Sequence, residues 1–416
     1  MDIIVLGAGV VGITTAYQLA KSGHKVKVID MNEAPAMECS FANGAQLSFS
    51  HIEPLCSSAS LTSVIKSSIS RNSYMNLNQI NKATIDFSKK LLKNSSKSNS
   101  RKIASNIHQI TKLSRNIFDD IFDDHKINFN FSRSGILHFF HSDKAYAKAI
   151  NFAKFQNEIG CKSVVYNVVE CVEKEPTLIK LVESHKLKGG VFYPDDATGN
   201  PNLFSIELSK ILKNKYSVEF LFNEEIKNIF TDSKKVTGIH TESGVHRADR
   251  YVYCLGSLGL NFLRGVDINL DILPVLGGSI SIDVKKSTRA PAMGLTDSEN
   301  RLVYSRIGNI FRAAGAFAIK KTPEVSEKIN NFIKDKIKLS FSSCGEINDS
   351  TFWQNFRPLR PNSTPIIANV NKLPNFFINS GHGHLGWTMS CGSAEIIRRL
   401  IDNENVDDYD FLEKVS

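Results

Sequence analysis

The sequence predicts an α/β fold in two intertwined parts, one built on β-α-β units and the other an α+β part carrying an antiparallel sheet. Three observations predict it. The first thirty residues spell strand, glycine turn, helix and strand. The middle of the chain holds closely spaced strand patterns. The tail repeats a strand, a glycine-rich turn and a helix.

Ile3 to Leu6 is a short buried-strand pattern, followed by Gly7-Ala8-Gly9-Val10-Val11-Gly12. Apolar Ile13, Ala16, Tyr17, Leu19 and Ala20 then recur at helical spacing up to about Ser22. Lys25 to Ile29 is a second strand, closed by Asp30. Residues 33–60 read as loop, and 61–130 as mostly helical and polar. Gly135 to Phe140 reads as a strand, Ala145 to Ile159 as a helix, and Val191 to Tyr193 as a strand running into a turn. A helix over Pro201 to Lys213 has Asn200 as its cap and Pro201 at its first position. Strands follow at Val218–Phe222, Ile226–Thr231, Val236–Thr241 and Arg250–Cys254, which suggests a meander laid against the first unit. Leu273 to Val284 and Leu302 to Phe317 are strand-rich, and Pro323 to Leu339 is a helix. Phe376 to Asn379 is a strand, Gly381 to Gly386 a turn, and Trp387 to Ile401 the last helix. The discontinuous domain built on the β-α-β unit, expected to hold a cofactor, is read over 1–50, 151–259 and 346–416, and the α+β domain, expected to hold a substrate, over 51–150 and 260–345.

Several classes are set aside by composition. Fifty-one basic and 42 acidic residues leave a charge of +9 over 416 residues, too small an excess to point to nucleic acid. No run of 18 apolar residues marks a membrane span. The seven cysteines have no C-x-x-C pair, so neither a disulfide framework nor a zinc site is expected, and a reducing cytoplasm fits. The N-terminus has no basic region ahead of its apolar run and is not read as a signal peptide.

The G-x-G-x-x-G of Gly7, Gly9 and Gly12 has the context that gives it meaning. It follows a strand and opens a helix, and Asp30 stands eighteen residues after Gly12. Gly7 permits the tight turn, Gly9 lets a pyrophosphate approach the backbone, and Gly12 lets helix and strand pack closely. The helix start, at Val10 and Val11, offers N–H groups and partial positive charge to phosphates. Asp30 suits ribose hydroxyls and disfavours a 2′-phosphate. This Rossmann-like unit predicts a dinucleotide. Asp30 and Met31 lead into a polar loop rather than further β-α units. Two later segments return to the cofactor: Tyr251 to Ser257, with Cys254 and Gly256, and the tail turn. That layout favours a long, buried, non-covalent FAD over NAD.

The N-terminal unit, Ser40-Phe41-Ala42-Asn43-Gly44-Ala45-Gln46-Leu47-Ser48, Phe356-Arg357-Pro358-Leu359-Arg360-Pro361, Thr364-Pro365-Ile366 and above all Gly381-His382-Gly383-His384-Leu385-Gly386-Trp387-Thr388-Met389-Ser390-Cys391-Gly392-Ser393 resemble the bacterial FAD-dependent D-amino acid dehydrogenases of small-subunit type, within the D-amino acid oxidase superfamily. Asp196-x-x-Gly199 and Phe352-Trp353 extend the resemblance along the whole chain. It implies oxidation of a D-amino acid by hydride transfer to flavin N5, hydrolysis to a 2-oxo acid and ammonia, and electron delivery to a quinone or other respiratory acceptor. It implies Arg357 for the substrate carboxylate, where a guanidinium fork binds bidentately, and Tyr304 as a substrate tyrosine. Arg360 is the lesser candidate. For the cofactor it implies Ser40, Ala42, Asn43 and Gly44, then Gly383, Leu385, Gly386, Trp387 and Thr388, whose backbone faces the flavin. The runner-up readings are an oxidase or dehydrogenase of glycine, sarcosine or proline, and a flavin-binding subunit of a larger amine dehydrogenase. One departure stands out: the loop reads Asn43-Gly44-Ala45-Gln46 where the family has Asn-Ala-Gly-Gln.

His382 and His384 alone are a weak metal signal, and no metal is expected. Cys254 and Cys391 read as packed thiols. Lys89 to Lys102 carries six cations and no anion. Its plain reading is a solvated helix end; the sharper one is peripheral contact with anionic lipid on the cytoplasmic membrane face.

Overall fold

The computed structural model describes residues 1–57, 82–232, 234–285, 289–319 and 324–416. Its first layer is a six-stranded sheet in the order Ile366–Val370, Leu373–Ser380, Arg250–Tyr253, Asp2–Leu6, Lys25–Ile29, Glu219–Leu221. Every neighbouring pair is parallel except the first, which is antiparallel. The central strand Asp2–Leu6 is apolar on both sides because both sides are covered. Ile3 and Val5 pack toward helices Val10–Lys21, Pro201–Tyr216, Gly386–Ile401 and the long Lys97–His125. Ile4 and Leu6 face the opposite way, toward Ile229, Ile239 and Leu263. Those residues belong to a three-stranded antiparallel sheet (Asn228–Thr231, Val236–Thr241, Gly244–His246) and the short helix Leu260–Gly265.

Of the four strands expected in a meander, only two pair as one, Asn228–Thr231 with Val236–Thr241, and their sheet is completed by Gly244–His246, which the sequence reading did not include; Glu219–Leu221 and Arg250–Tyr253 join the parallel sheet instead. Asn200 caps the Pro201–Tyr216 helix, its side chain accepting from the Asn202 and Leu203 N–H groups.

The second layer is an eight-stranded sheet in the order Thr351–Leu359, Leu273–Asp283, Ile310–Ala318, Leu302–Ile307, Gly294–Asp297, Ile136–Phe140, Gly189–Tyr193, Val164–Tyr166. All pairs are antiparallel except Gly294–Asp297 with Ile136–Phe140. Helix Glu327–Phe341 covers one face, setting Ile329, Ile333 and Ile337 at helical spacing against Leu276, Ile280, Tyr304 and Phe311. The other face looks toward the cavities described below.

This pairing shifts the boundaries read from sequence. Val164–Tyr166, Gly189–Tyr193 and Thr351–Leu359 fall within stretches assigned to the discontinuous domain of the β-α-β unit, yet their ladders lie in the eight-stranded sheet. Strand partners are set by tertiary pairing, not by sequence neighbours. Gln46–Leu47, read as loop, pairs with Ala197–Thr198. Within 61–130 the described helices are Lys82–Lys93 and Lys97–His125; residues 61–81 lie outside the described residues. The helix expected from Pro323 runs over Glu327–Phe341, and Pro323 itself lies outside the described residues.

Candidate active site

Two cavities meet between the sheets. The outer one, about 330 Å³, lies along the ends of the parallel strands. Gly7, Gly9, Val10, Val11, Asp30, Met31, Ser40, Asn43, Cys254, Gly256, Gly383, Gly386 and Trp387 line it. Gly44, Leu385 and Thr388 line the inner cavity instead, and Gly12 and Ala42 line neither.

Local chemistry explains the outer cavity. The Gly7 N–H donates to Ile29 O at 2.8 Å, tying the glycine turn to the end of the second strand. A Cβ on Gly12 would overlap the Gly7 carbonyl, so this glycine is required for packing and not for contact. A Cβ on Gly9 would meet only Ser40 Oγ, at 3.7 Å, and would fill the cavity. The Val10 N–H donates to the same hydroxyl at 3.1 Å. The Asp30 carboxylate accepts from the Ala8 N–H at 2.6 Å and from the Asn32 N–H at 2.8 Å. It therefore braces the turn, and its four lone-pair sites leave room for a hydroxyl donor. Burial pushes the Cys254 thiol up to about 12, so it is a packed thiol. Cys391 is raised likewise.

These features suit a dinucleotide. Glycines clear the backbone, a helix starts at the cavity wall, and two lining residues carry buried polar atoms with no hydrogen-bond partner among the described residues, Asn379 Oδ1 and Trp387 Nε1. The Asn379 contribution and the Glu224–Ile226 turn escaped sequence reading. Asn379 had a signal, since it ends the strand just before the tail turn. The turn had none.

The inner cavity, about 560 Å³, shares Asn43, Arg357, His384 and Trp387 with the outer one. Arg357 stands on Thr351–Leu359 opposite Val275. Its Nη1 donates to Ala316 O at 3.0 Å and its Nη2 to Gly315 O at 3.4 Å. Its guanidinium lies 5.2 Å from the Phe317 ring centre, and a Cβ on Gly277 would overlap it. The arginine thus rests on a glycine seat and an aromatic face at the junction. Arg360, by contrast, is buried in a pair with Glu413 at 2.9 Å and donates to Thr364 O at 3.0 Å; it lines neither cavity.

Tyr304 is a correction. It lies in the hydrophobic core between Phe311 and Phe341, on the helix-covered face, and lines neither cavity. Val303, one residue earlier, faces the inner cavity. In a strand a one-residue offset exchanges core for site.

The inner cavity also holds imidazoles that sequence reading did not gather. His51 lies 5.5 Å from His384 and 5.2 Å from His138, ring centre to ring centre. The His384 ring is exposed to the cavity, yet protein surrounds the site. Burial, with His51, Arg357 and Arg301 adding to it, holds His384 down to about 3. Burial and then Arg301 hold His51 down to about 4, and burial holds His138 well below its ordinary value. All three rings are neutral at pH 7. Glu53 is raised by burial, against the opposing bond from Ser57 Oγ at 2.6 Å. His382 is a structural group, its Nε2 lying 2.9 Å from Ser393 Oγ.

A family model described as FAD dependent oxidoreductase (DAO) matches residues 2–400. The chain is 32% identical over 405 residues to a D-amino acid dehydrogenase of Paramagnetospirillum magneticum, covering 96% of this chain and 95% of the relative. It is 31% identical over 413 residues to the D-amino acid dehydrogenase of Neisseria meningitidis serogroup A, covering 98% and 97%. Among solved structures, L-proline dehydrogenase from P. horikoshii superposes with a TM-score of 0.74 at 16% identity, over 99% of this chain and 96% of that one. Glycine oxidase from Geobacillus kaustophilus gives 0.73 at 15% identity, over 100% and 99%. At such identities the last two speak to fold alone.

Proposed function

The chain belongs to the FAD-dependent oxidoreductase (DAO) family, and on that premise we propose that it oxidises D-amino acids to 2-oxo acids and ammonia. The observation that carries this reading is Arg357 at the junction of the two cavities. The outer cavity suits the dinucleotide and the inner one a substrate, so a carboxylate held by Arg357 places Cα between them. A guanidinium presents a planar fork to a carboxylate, which fixes orientation as well as charge. Bound FAD supplies the hydride acceptor.

The remaining chemistry falls to the chain's own groups. Gly7, Gly9, Val10 and Val11 would cradle the pyrophosphate at the helix start, and Asp30 would take a ribose hydroxyl. The neutral rings of His384 and His51 place no cation beside the substrate amine and offer it hydrogen-bond acceptors. The inner cavity takes the side chain, with Phe140, Phe152, Phe317 and Val303 among its apolar lining.

The names of the relatives and the end-to-end resemblance support a dehydrogenase that passes electrons to a quinone or other respiratory acceptor. Peripheral contact with anionic lipid through Lys89–Lys102 is part of the same reading. No helix among the described residues is long and apolar enough to cross a membrane. Two of the six cations are engaged within the protein, Lys90 with Asp271 and Arg101 over the Phe155 ring. Binding to anionic vesicles should weaken as salt rises; no binding at low salt removes the membrane part.

Purified protein should be yellow, with flavin released by acid. Anaerobic addition of D-amino acids should bleach the flavin, while L-isomers should not. Bleaching by glycine, sarcosine or proline alone would overturn the D-amino acid assignment.

A further inference from the structure

The 42–45 loop lies between the eight-stranded sheet and the cavities, and three side chains of that sheet hold three successive carbonyls of the loop. Ser279 Oγ donates to Ala42 O at 2.5 Å, Arg312 Nη1 to Asn43 O at 3.4 Å, and Ser305 Oγ to Gly44 O at 2.7 Å. The three donors share one sheet face, because Arg312 is the cross-strand partner of Ser305 on one side and of Ser281 on the other.

A planar trans peptide carries its N–H opposite its C=O, and the chain has no cis peptide among the described residues. With the Ala42 and Asn43 carbonyls turned into the sheet, the N–H groups of Asn43 and Gly44 are turned away from it. That is the side on which Asn43 borders both cavities and Gly44 the inner one. The third peptide closes the turn, its Ala45 N–H donating to Asn43 Oδ1 at 2.9 Å.

Arg312 gives this arrangement a charge. It is 6% exposed, its Nε donates to Ser281 Oγ at 3.1 Å, and it makes no ion pair with a carboxylate among the described residues. Burial alone lowers it to about 10, so it stays a cation at neutral pH. A buried cation facing only hydroxyl and carbonyl dipoles is poorly compensated, and its field carries further in a low-dielectric interior than in water.

We propose that Arg312 and the N–H groups of Asn43 and Gly44 form an electropositive floor beneath the cofactor ring, which stabilises the negative charge a flavin acquires on reduction. Ser279 and Ser305 are the positioning residues, since they fix the peptides before any charge develops. The inference needs bound FAD but not the identity of the substrate.

The test uses the holoprotein and two readouts independent of turnover: the midpoint potential of the bound flavin, and its affinity for sulfite, an anion that adds to electropositive oxidised flavin. Arg312→Met should lower the potential by about 30–60 mV, which is a ten- to hundredfold weaker preference for the reduced form at about 30 mV per decade for a two-electron couple. Sulfite affinity should fall by at least about tenfold, and Arg312→Lys should retain most of both. The Ser279→Ala/Ser305→Ala double variant keeps the charge and should lose about three- to tenfold in sulfite affinity. An Arg312→Met protein that keeps FAD with wild-type potential and sulfite affinity overturns the proposal. If that variant loses FAD, the double variant decides, and an unchanged sulfite affinity there overturns it equally. A wild-type protein that binds no FAD would contradict the cofactor reading instead.

Discussion

The two cavities meet at Arg357 and His384 yet are made of different material. The outer cavity is rich in glycine, with eight in its lining beside a helix start and strand ends, and Asp30 braces the turn. The inner cavity has only two glycines in its lining and relies on side chains, with Gln46, His51, His138, Thr296, Arg301 and Phe317 drawn from four separate stretches of chain. A backbone-built site fails when a side chain is added. A side-chain-built site fails when one is removed or displaced.

The sharpest break of that contrast lies between Gly9 and Gly12. Gly12→Val puts carbon into the Gly7 carbonyl and should destabilise the fold by about 3–5 kcal/mol. Gly9→Val meets little protein and should give a folded protein with a wild-type far-UV spectrum and no flavin. Equal unfolding of both variants would mean that Gly9 is a packing glycine too.

Next comes the junction. On the proposed function, Arg357→Ala would leave the substrate carboxylate unpaired, which typically costs about 2–5 kcal/mol, or roughly 30- to 5,000-fold in kcat/KM. Gly277→Ala should act in the same direction by dislodging the guanidinium from its seat, with a loss of about tenfold. Because both act through one group, the double variant should be no worse than Arg357→Ala alone. Additive losses would show that Gly277 acts by another route.

Arg360 tests the neighbouring arginine. Its partner Glu413 is 39% exposed, so Arg360→Ala should cost only about 1–3 kcal/mol in urea unfolding. Its kcat/KM should stay within about twofold of wild type. A large catalytic loss would move the carboxylate site from Arg357 toward Arg360.

The smallest effect concerns the 42–45 loop, which lies on the eight-stranded sheet beside the cavities. Ala45 has φ 57°, a left-handed conformation costly for a side chain, while a Cβ on Gly44 would lie 2.5 Å from Val303 Cγ2. The family order Asn-Ala-Gly-Gln would place glycine at the left-handed position. Ala45→Gly should therefore stabilise by about 0.5–1 kcal/mol, strain relief offset in part by glycine's entropy. Gly44→Ala should destabilise. A lower urea midpoint for Ala45→Gly would contradict this account.

The sequence by itself determined what depends on short-range geometry. Gly7, Gly9 and Gly12 lie within six residues, and Asp30 follows directly on the strand Lys25–Ile29, whose end the Gly7 N–H holds. The tail's strand, turn and helix also stand where the pattern placed them, because strand and helix periods are local properties of the chain. Arg357 was read from its Arg-Pro step, but its seat on Gly277 and Phe317 was not.

Only the tertiary structure decided which face each sheet residue takes and which strands pair. Tyr304 and Val303 are equally plausible in sequence; a period of two puts one in the core and the other in the cavity, and only the register chooses. The His51, His138 and His384 group spans more than three hundred residues of chain, and no local preference announces it. Arg312 reads as an ordinary strand arginine until its cross-strand serines and the 42–45 loop surround it. Such groupings arise when distant strands close a sheet, and burial then sets the charge state of every ionisable side chain they enclose.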